Sequence, residues 1–228
     1  MEQAAVTDMS GRIRHLLAQG AWQVAEAELS DALAQHPTDP ELWPLQADLD
    51  LKLGRPDHAI LALQQALNLT PQSAVLHSRI GRLLLEQAQP QQALHHFEAA
   101  RAFAPADPGP TLALIELSLL LGERGQAMLY LREALNLSPD SALAYALLGR
   151  ALELYGRWPE ARDAMRQSLE LDPHDESVRS HLIARALMHQ DDALALHLSL
   201  TEPQQADAPG LYWRGCCHYW QGDLPEAR

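Results

Sequence analysis

The chain has 228 residues, of which 47% are hydrophobic and only 5% aromatic, and its formal net charge is −13. Abundant Leu, Ala, Gln and Glu favour helix over strand. The acidic balance argues against nucleic acid as a partner, because phosphate binding needs a basic face. No apolar run approaches the roughly 18 residues of a membrane span, so we expect no membrane insertion.

The N-terminal segment has no basic stretch leading into an apolar core, so we predict no secretory signal and a cytoplasmic protein. A period of 34 residues then organises the chain. It is marked by prolines at Pro37, Pro71, Pro105, Pro139 and Pro173. Alanines recur with the same spacing from Ala25 and from Ala32, and glycines recur at Gly20, Gly54, Gly122 and Gly156. Three residue classes that share one period indicate a repeat protein.

The residue pattern within each 34-residue unit predicts two helices, which we call helix A and helix B. Gly or Ala at unit positions 8, 20 and 27 lets the two backbones approach where the helices cross. Gly at position 15 suits a left-handed cap after helix A, and Pro at position 32 stops helix B. The regular units are 6–39, 40–73, 74–107, 108–141 and 142–175.

The last two units depart from this pattern. The sixth, 176–207, is irregular because it lacks the turn Gly and the terminal Pro, and we align Ala193 with position 20 by shortening its turn by two residues. We expect a looser segment or a kink over 201–210, which contains two prolines. The seventh unit, 208–228, is truncated inside its helix B. We therefore expect a piece of a longer protein, or self-association through an uncapped C-terminal edge.

The units resemble the tetratricopeptide repeat. The fifth unit carries the family pattern at Tyr145, Leu148, Gly149, Leu152, Ala161, Met165 and Pro173. The third matches at Ile80, Gly81, Leu84, Ala93, Phe97 and Pro105. The resemblance covers essentially the whole chain. It implies an all-α, right-handed superhelical solenoid of antiparallel helix pairs, with about six and a half repeats in a single domain over 1–228.

The resemblance also implies that helices A line a concave groove with positions 2, 5, 6, 9, 12 and 13. Position 9 alternates in charge through Arg14, Asp48, Arg82, Glu116 and Arg150, before Ala184. This row is either a ladder of ion pairs between neighbouring helices or a charged floor that fixes the register of a bound peptide. The other predicted groove residues are Arg79, Leu45, Leu51, Leu85, Leu112, Leu119, Leu120, Leu147 and Leu154. They predict a groove for an apolar or amphipathic segment of a protein or peptide partner.

No motif or residue cluster predicts a catalytic, cofactor or metal site. Cys216 and Cys217 are interpreted as reduced helix residues, and the histidines as solvent-facing or satisfied side chains. Trp22 and Trp158 share position 17, where we expect them to fill the interface between units. Chaperone-binding members of the family that the chain resembles hold a C-terminal carboxylate with Lys at position 5 and Asn at position 9. This chain has neither residue at those positions, so the resemblance implies no clamp for chaperone tails.

The leading functional prediction is a scaffold or adaptor that binds a partner polypeptide in the groove, and not an enzyme. One alternative is the N-terminal, substrate-recruiting arm of a larger bacterial enzyme: a glycosyltransferase, sulfotransferase, methyltransferase or oxygenase whose catalytic domain follows residue 228. A second alternative is an assembly factor for secretion, pili or polysaccharide export. Fold alone does not choose among them.

Overall fold

The computed structural model describes residues 2–200, and every regular element in this part of the chain is an α-helix. The helices are α1 (Glu2–Gln19), α2 (Trp22–Gln35), α3 (Leu42–Lys52), α4 (Pro56–Leu69), α5 (Ala74–Glu86), α6 (Pro90–Phe103), α7 (Pro108–Leu120), α8 (Arg124–Leu137), α9 (Ala142–Leu154), α10 (Trp158–Leu171), α11 (Glu176–Met188) and α12 (Asp192–Leu200). Odd-numbered helices are helices A, and each is joined to its helix B by a short turn, as in an antiparallel helix hairpin. The predicted all-α solenoid class of helix pairs is confirmed.

The chain divides into two compact units, Met1–Leu117 and Ser118–Arg228, and the boundary falls inside α7. In the first unit, α1 packs on both α2 and α3, and the following helices pack on their neighbours through α6. In the second unit, α8 packs on α9, α9 on α10, α10 on α11, and α11 on α12. The segment 201–210 and the seventh repeat, with its predicted C-terminal edge, lie outside the described residues. No helix within 2–200 is long and apolar enough to cross a membrane.

The turn between helix A and helix B has the same conformation in all six described repeats. Position 15 has a positive φ of 56–76° at Gly20, Gly54, Ala88, Gly122, Gly156 and Gln190. The N–H of position 16 then donates to the carbonyl of position 11, as in Arg157 to Leu152 (3.0 Å). This pairing is the Schellman cap that a left-handed residue makes possible. The predicted role of position 15 is confirmed.

The sixth repeat keeps the regular register, so the predicted alignment of Ala193 with position 20 is wrong. Ala195 is the buried residue at that position, and Ala193 is exposed. The N–H of Asp191 donates to Ala186 (2.9 Å), the same bond as in the other turns. Gln190 adopts the left-handed conformation at a cost of about 1 kcal/mol, so the absence of Gly does not shorten the turn.

Helices A and B cross closely where position 8 is glycine. A Cβ built on Gly81 would lie 2.8 Å from the ring of Phe97, and one built on Gly149 would lie 2.5 Å from Cγ of Met165. The two large side chains sit at position 24 and fill the space that the glycines leave. Small residues at positions 20 and 27 are confirmed as buried, whereas position 8 also accepts buried isoleucines at Ile13 and Ile183.

Consecutive repeats are joined by a recurring bond from position 4. The side chain there donates to the carbonyl of the Pro at position 32 of the preceding repeat. The donors are Trp43 to Pro37 (2.9 Å), His77 to Pro71 (3.3 Å) and Arg179 to Pro173. Thr111 has this position in the fourth repeat, and its buried hydroxyl has no hydrogen-bond partner among the described residues.

Trp158 lies between two repeats, as predicted for position 17. Its ring stacks on His189 of the next repeat, with centroids 4.6 Å apart and planes 9° from parallel. It also packs against the cluster of Met165, Leu182 and Ile183. Trp22 packs against the core of the first unit, which contains Ile13 and Leu29. Both tryptophans are structural.

Candidate interaction surface on the helices A

The predicted position-9 residues lie on the outer surface of the helices A. Arg14, Arg82, Glu116 and Arg150 are exposed, and Asp48 is half-buried. Their exposure follows from helical periodicity, since positions 2, 9 and 13 share one side of a helix and positions 3, 7 and 10 face the other. The row is therefore accessible to solvent on the helices A.

Charges on neighbouring helices A pair with an axial offset. Arg14 donates to Glu41 at position 2 of the next repeat (2.8 Å), and Asp48 accepts from Arg79 at position 6. In the second unit, Glu153 at position 12 accepts from Arg185 at position 10 (2.6 Å) and from His181 at position 6 (2.7 Å). In each case the partner on the following helix A has a lower repeat position than the residue it binds.

The predicted ladder between successive position-9 residues is therefore wrong for Arg14 and Asp48. The offset between successive helices places each position-9 side chain opposite an earlier position of its neighbour. The Arg14–Glu41 pair is more than half exposed on both sides, so it contributes at most about 1 kcal/mol. These bonds order the surface more than they stabilise the fold.

The first unit presents a face of paired charges. Ser10, which is buried, donates to the same Glu41 carboxylate as Arg14 (3.1 Å). Arg79 and Asp48 form the next pair along the face. Arg82 is exposed and has no ion pair within the described part of the chain. It is a cation available to a ligand in this unit.

The predicted groove leucines differ in accessibility. Leu45 and Leu147 are buried, so their assignment to the groove is wrong. Both hold position 6, and Leu45 packs into the core with Ile13 and Leu49. The exposed members are Leu51, Leu120 and Leu154, whereas Leu85, Leu112 and Leu119 are half-buried.

Sequence reasoning missed three exposed apolar residues on the helices A. Val75 and Leu143 lie at position 2, and Met188 lies at position 13. Position 9 lies seven residues after position 2, and position 13 lies four residues after position 9. These spacings are close to whole helical turns, so all three positions share one side of the helix. That spacing is the signal that could have identified them.

A sequence model of the family described as Tetratricopeptide repeat matches residues 16–83 and 119–186, which together exceed half of the chain. The chain belongs to the tetratricopeptide repeat family. Tetratricopeptide repeat protein 21B of Xenopus laevis is 29% identical over 147 residues, which are 61% of this chain and 11% of that protein. The chain spans between 11% and 25% of the length of the first curated relatives that it matches.

Solved tetratricopeptide repeat structures share this fold at low identity. PilW, described as a widely conserved type IV pilus biogenesis factor, has a TM-score of 0.73 at 20% identity, over 86% of this chain and 91% of that chain. YrrB, described as having an unusual peptide-binding site, has a TM-score of 0.64 at 15% identity, over 80% and 90%. At these identities the likeness establishes the fold of this tetratricopeptide repeat protein.

One histidine pair lies apart from this surface, between α5 and α6. Nε2 of His77 donates to the carbonyl of Pro71, so Nδ1 of the neutral ring accepts, 3.1 Å from Nδ1 of His96. Burial, with a contribution from His77 and His95, lowers the pKa of His96 to about 4. Burial also lowers the pKa of His77, against the effect of its bond to Pro71. Protonating both rings would turn two N–H groups toward each other, so the bond between them requires that at least one imidazole be neutral.

Within residues 2–200, no three His, Cys, Asp or Glu side chains are grouped to hold a metal ion. The described histidines instead make structural contacts, such as His77 with Phe103 (ring centroids 5.6 Å apart) and His189 with Trp158. The exposed side chains of the helices A can bind a ligand through charge, hydrogen bonds and apolar contact.

Proposed function

We propose that this chain is a protein-interaction scaffold that binds a partner polypeptide on the helices A. The observation that carries the proposal is the coexistence of unpaired arginines with exposed apolar side chains on those helices. Arg82 in the first unit and Arg150 in the second have no ion pair among the described residues. Exposed leucines also lie on helices A of both units, Leu51 on α3 and Leu154 on α9. Apolar area supplies affinity in such sites, and charges supply register and specificity.

A charge reversal at position 9 tests the proposal. Arg82→Glu combined with Arg150→Glu should weaken partner capture by the chain without reducing its helical circular dichroism signal. The matched control is Arg132→Glu combined with Arg166→Glu, because these arginines are exposed at position 25 of two helices B. The control makes the same change in net charge away from the helices A. Equal capture by both double variants would place the binding site elsewhere.

The larger assembly to which the chain contributes is a separate part of the proposal. A substrate-recruiting arm of an enzyme and an assembly factor would both use this surface as a scaffold does. PilW, which is described as a pilus biogenesis factor, provides a precedent for the second alternative on the same fold. The identity of the captured polypeptide distinguishes them: an enzyme's substrate supports the first, and a subunit of an exported assembly supports the second.

A further inference from the structure

Helix α9 carries a stripe of three exposed side chains, an arginine between two leucines. Leu143, Arg150 and Leu154 hold positions 2, 9 and 13, and each is exposed. Steps of seven and four residues keep the three side chains on one side of the helix. The stripe is thus an apolar surface with a single cation near its middle.

The next helix A, α11, also exposes an apolar side chain. Met188, at position 13 of the next repeat, is 71% exposed, and Leu120 has the same exposure at position 13 of α7. Helices α9 and α11 are held side by side because Glu153 binds both His181 and Arg185. In the first unit, position 13 is occupied by Ala18, Lys52 and Glu86. The apolar row is therefore a property of the second unit.

Arg150 differs from most arginines on the helices A. Arg14 and Arg79 in the first unit, and Arg185 in the second, each bind a carboxylate of a neighbouring helix. Arg150 has no carboxylate partner within residues 2–200, although the chain has 30 acidic residues against 17 Lys and Arg. The Glu153 carboxylate, one turn away on α9, is only 10% exposed and is already bound by two donors. A guanidinium without a carboxylate offers a paired set of N–H donors to an acidic ligand group.

We propose that Leu143, Arg150, Leu154 and Met188 form a docking surface for a short segment of a protein partner, with large apolar side chains around one Asp or Glu. This inference rests on the proposed function and specifies the chemistry of the ligand. The segment's apolar groups cover the leucines and Met188, and its carboxylate pairs with Arg150. Covering the guanidinium with apolar groups strengthens that pair, because the surrounding dielectric falls.

Selection from a displayed library of random 16-residue peptides on the full chain tests this proposal. Enriched peptides should contain Asp or Glu among Leu, Ile, Phe or Met. Replacing that acid with its amide in a synthetic peptide should weaken binding about tenfold. Arg150→Gln should weaken binding of the acidic peptide by about the same factor. The variant should then bind the acidic peptide and its amide analogue equally well. Arg132→Gln is the matched control, because this exposed arginine lies at position 25 on helix B of the fourth repeat, and it should leave both affinities unchanged.

Other results would overturn the proposal in distinguishable ways. Peptides whose affinity falls with Arg82→Gln and is unchanged by Arg150→Gln would contradict this docking surface, but they would support a scaffold that binds on the helices A. Enrichment of peptides without an acid contradicts the assigned ligand chemistry, and the absence of any enriched peptide contradicts the scaffold as well. Sedimentation of a dimer that Leu154→Asp dissociates would assign the surface to a second copy of the chain.

Discussion

The substitution Gly149→Ala tests the close crossing of α9 and α10. The new Cβ would lie 2.5 Å from Cγ of Met165 and 3.1 Å from the carbonyl oxygen of Ala161. The second neighbour is backbone, so moving the methionine alone does not relieve the crowding. Overpacking of this kind costs about 1–3 kcal/mol, and the better helix propensity of Ala returns up to about 1 kcal/mol. We expect the free energy of unfolding to fall by about 1–2 kcal/mol.

Urea denaturation followed by far-ultraviolet circular dichroism measures this change. Gly125→Ala is the matched control, because a Cβ on this exposed glycine of α8 would meet nothing within 4 Å. Its unfolding free energy should stay the same or rise by up to about 1 kcal/mol. Combining Gly149→Ala with Met165→Ala should be less destabilising than the sum of the two, since the added methyl group enters the space that the methionine leaves. Strictly additive effects, or a Gly149→Ala protein as stable as the parent, would refute the packing argument.

Three further predictions address single contacts. Gln190→Gly should stabilise the chain by about 0.5–1 kcal/mol in urea denaturation because glycine adopts a positive φ without strain; destabilisation would contradict the left-handed turn. Thr111→Val should be neutral or stabilising by about 1 kcal/mol in the same assay, since it removes a buried hydroxyl without a partner, and a large loss of stability would reveal a bond to that hydroxyl. Between pH 6.5 and 4, stability should fall by about 1 kcal/mol after allowance for solvent screening, because the pKa of His96 is lower in the folded than in the unfolded chain and the unfolded chain takes up the proton. Thermal melts across this range should show a smaller loss for His96→Asn, and an identical pH profile would exclude His96 as the cause.

The repeat and its turns could be predicted from sequence because they depend on residues with special backbone properties. Proline ends helix B and glycine permits the left-handed turn, so their 34-residue spacing locates both. The sixth repeat shows the limit of this reasoning. Gln190 adopts the glycine conformation at moderate cost, so the missing glycine is a poor guide to the length of the turn.

The candidate surface was only partly predictable. The exposure of position 9 follows from helical periodicity, but the partners of its charges depend on how successive helices are displaced along their axes. Arg14 therefore binds Glu41 and not Asp48. Residues beside the packed face are equally difficult to assign. Leu147 and Leu154 lie seven residues apart on nearly the same side of α9, yet only Leu154 is exposed. The His77–His96 pair joins residues 19 apart on two helices, and no periodic pattern identifies it.

Site-specific photo-crosslinking tests the central claim most directly. A photoreactive amino acid replaces either Leu154 on helix A or Leu129 on helix B of the second unit; both leucines are exposed, at 45% and 58%. In cells that express the native protein at its normal level, a partner that binds on the helices A should crosslink from the position of Leu154, and Arg150→Glu should abolish that crosslink. Crosslinks of equal yield from the position of Leu129, or a crosslink at the position of Leu154 that survives Arg150→Glu, would contradict binding on this face.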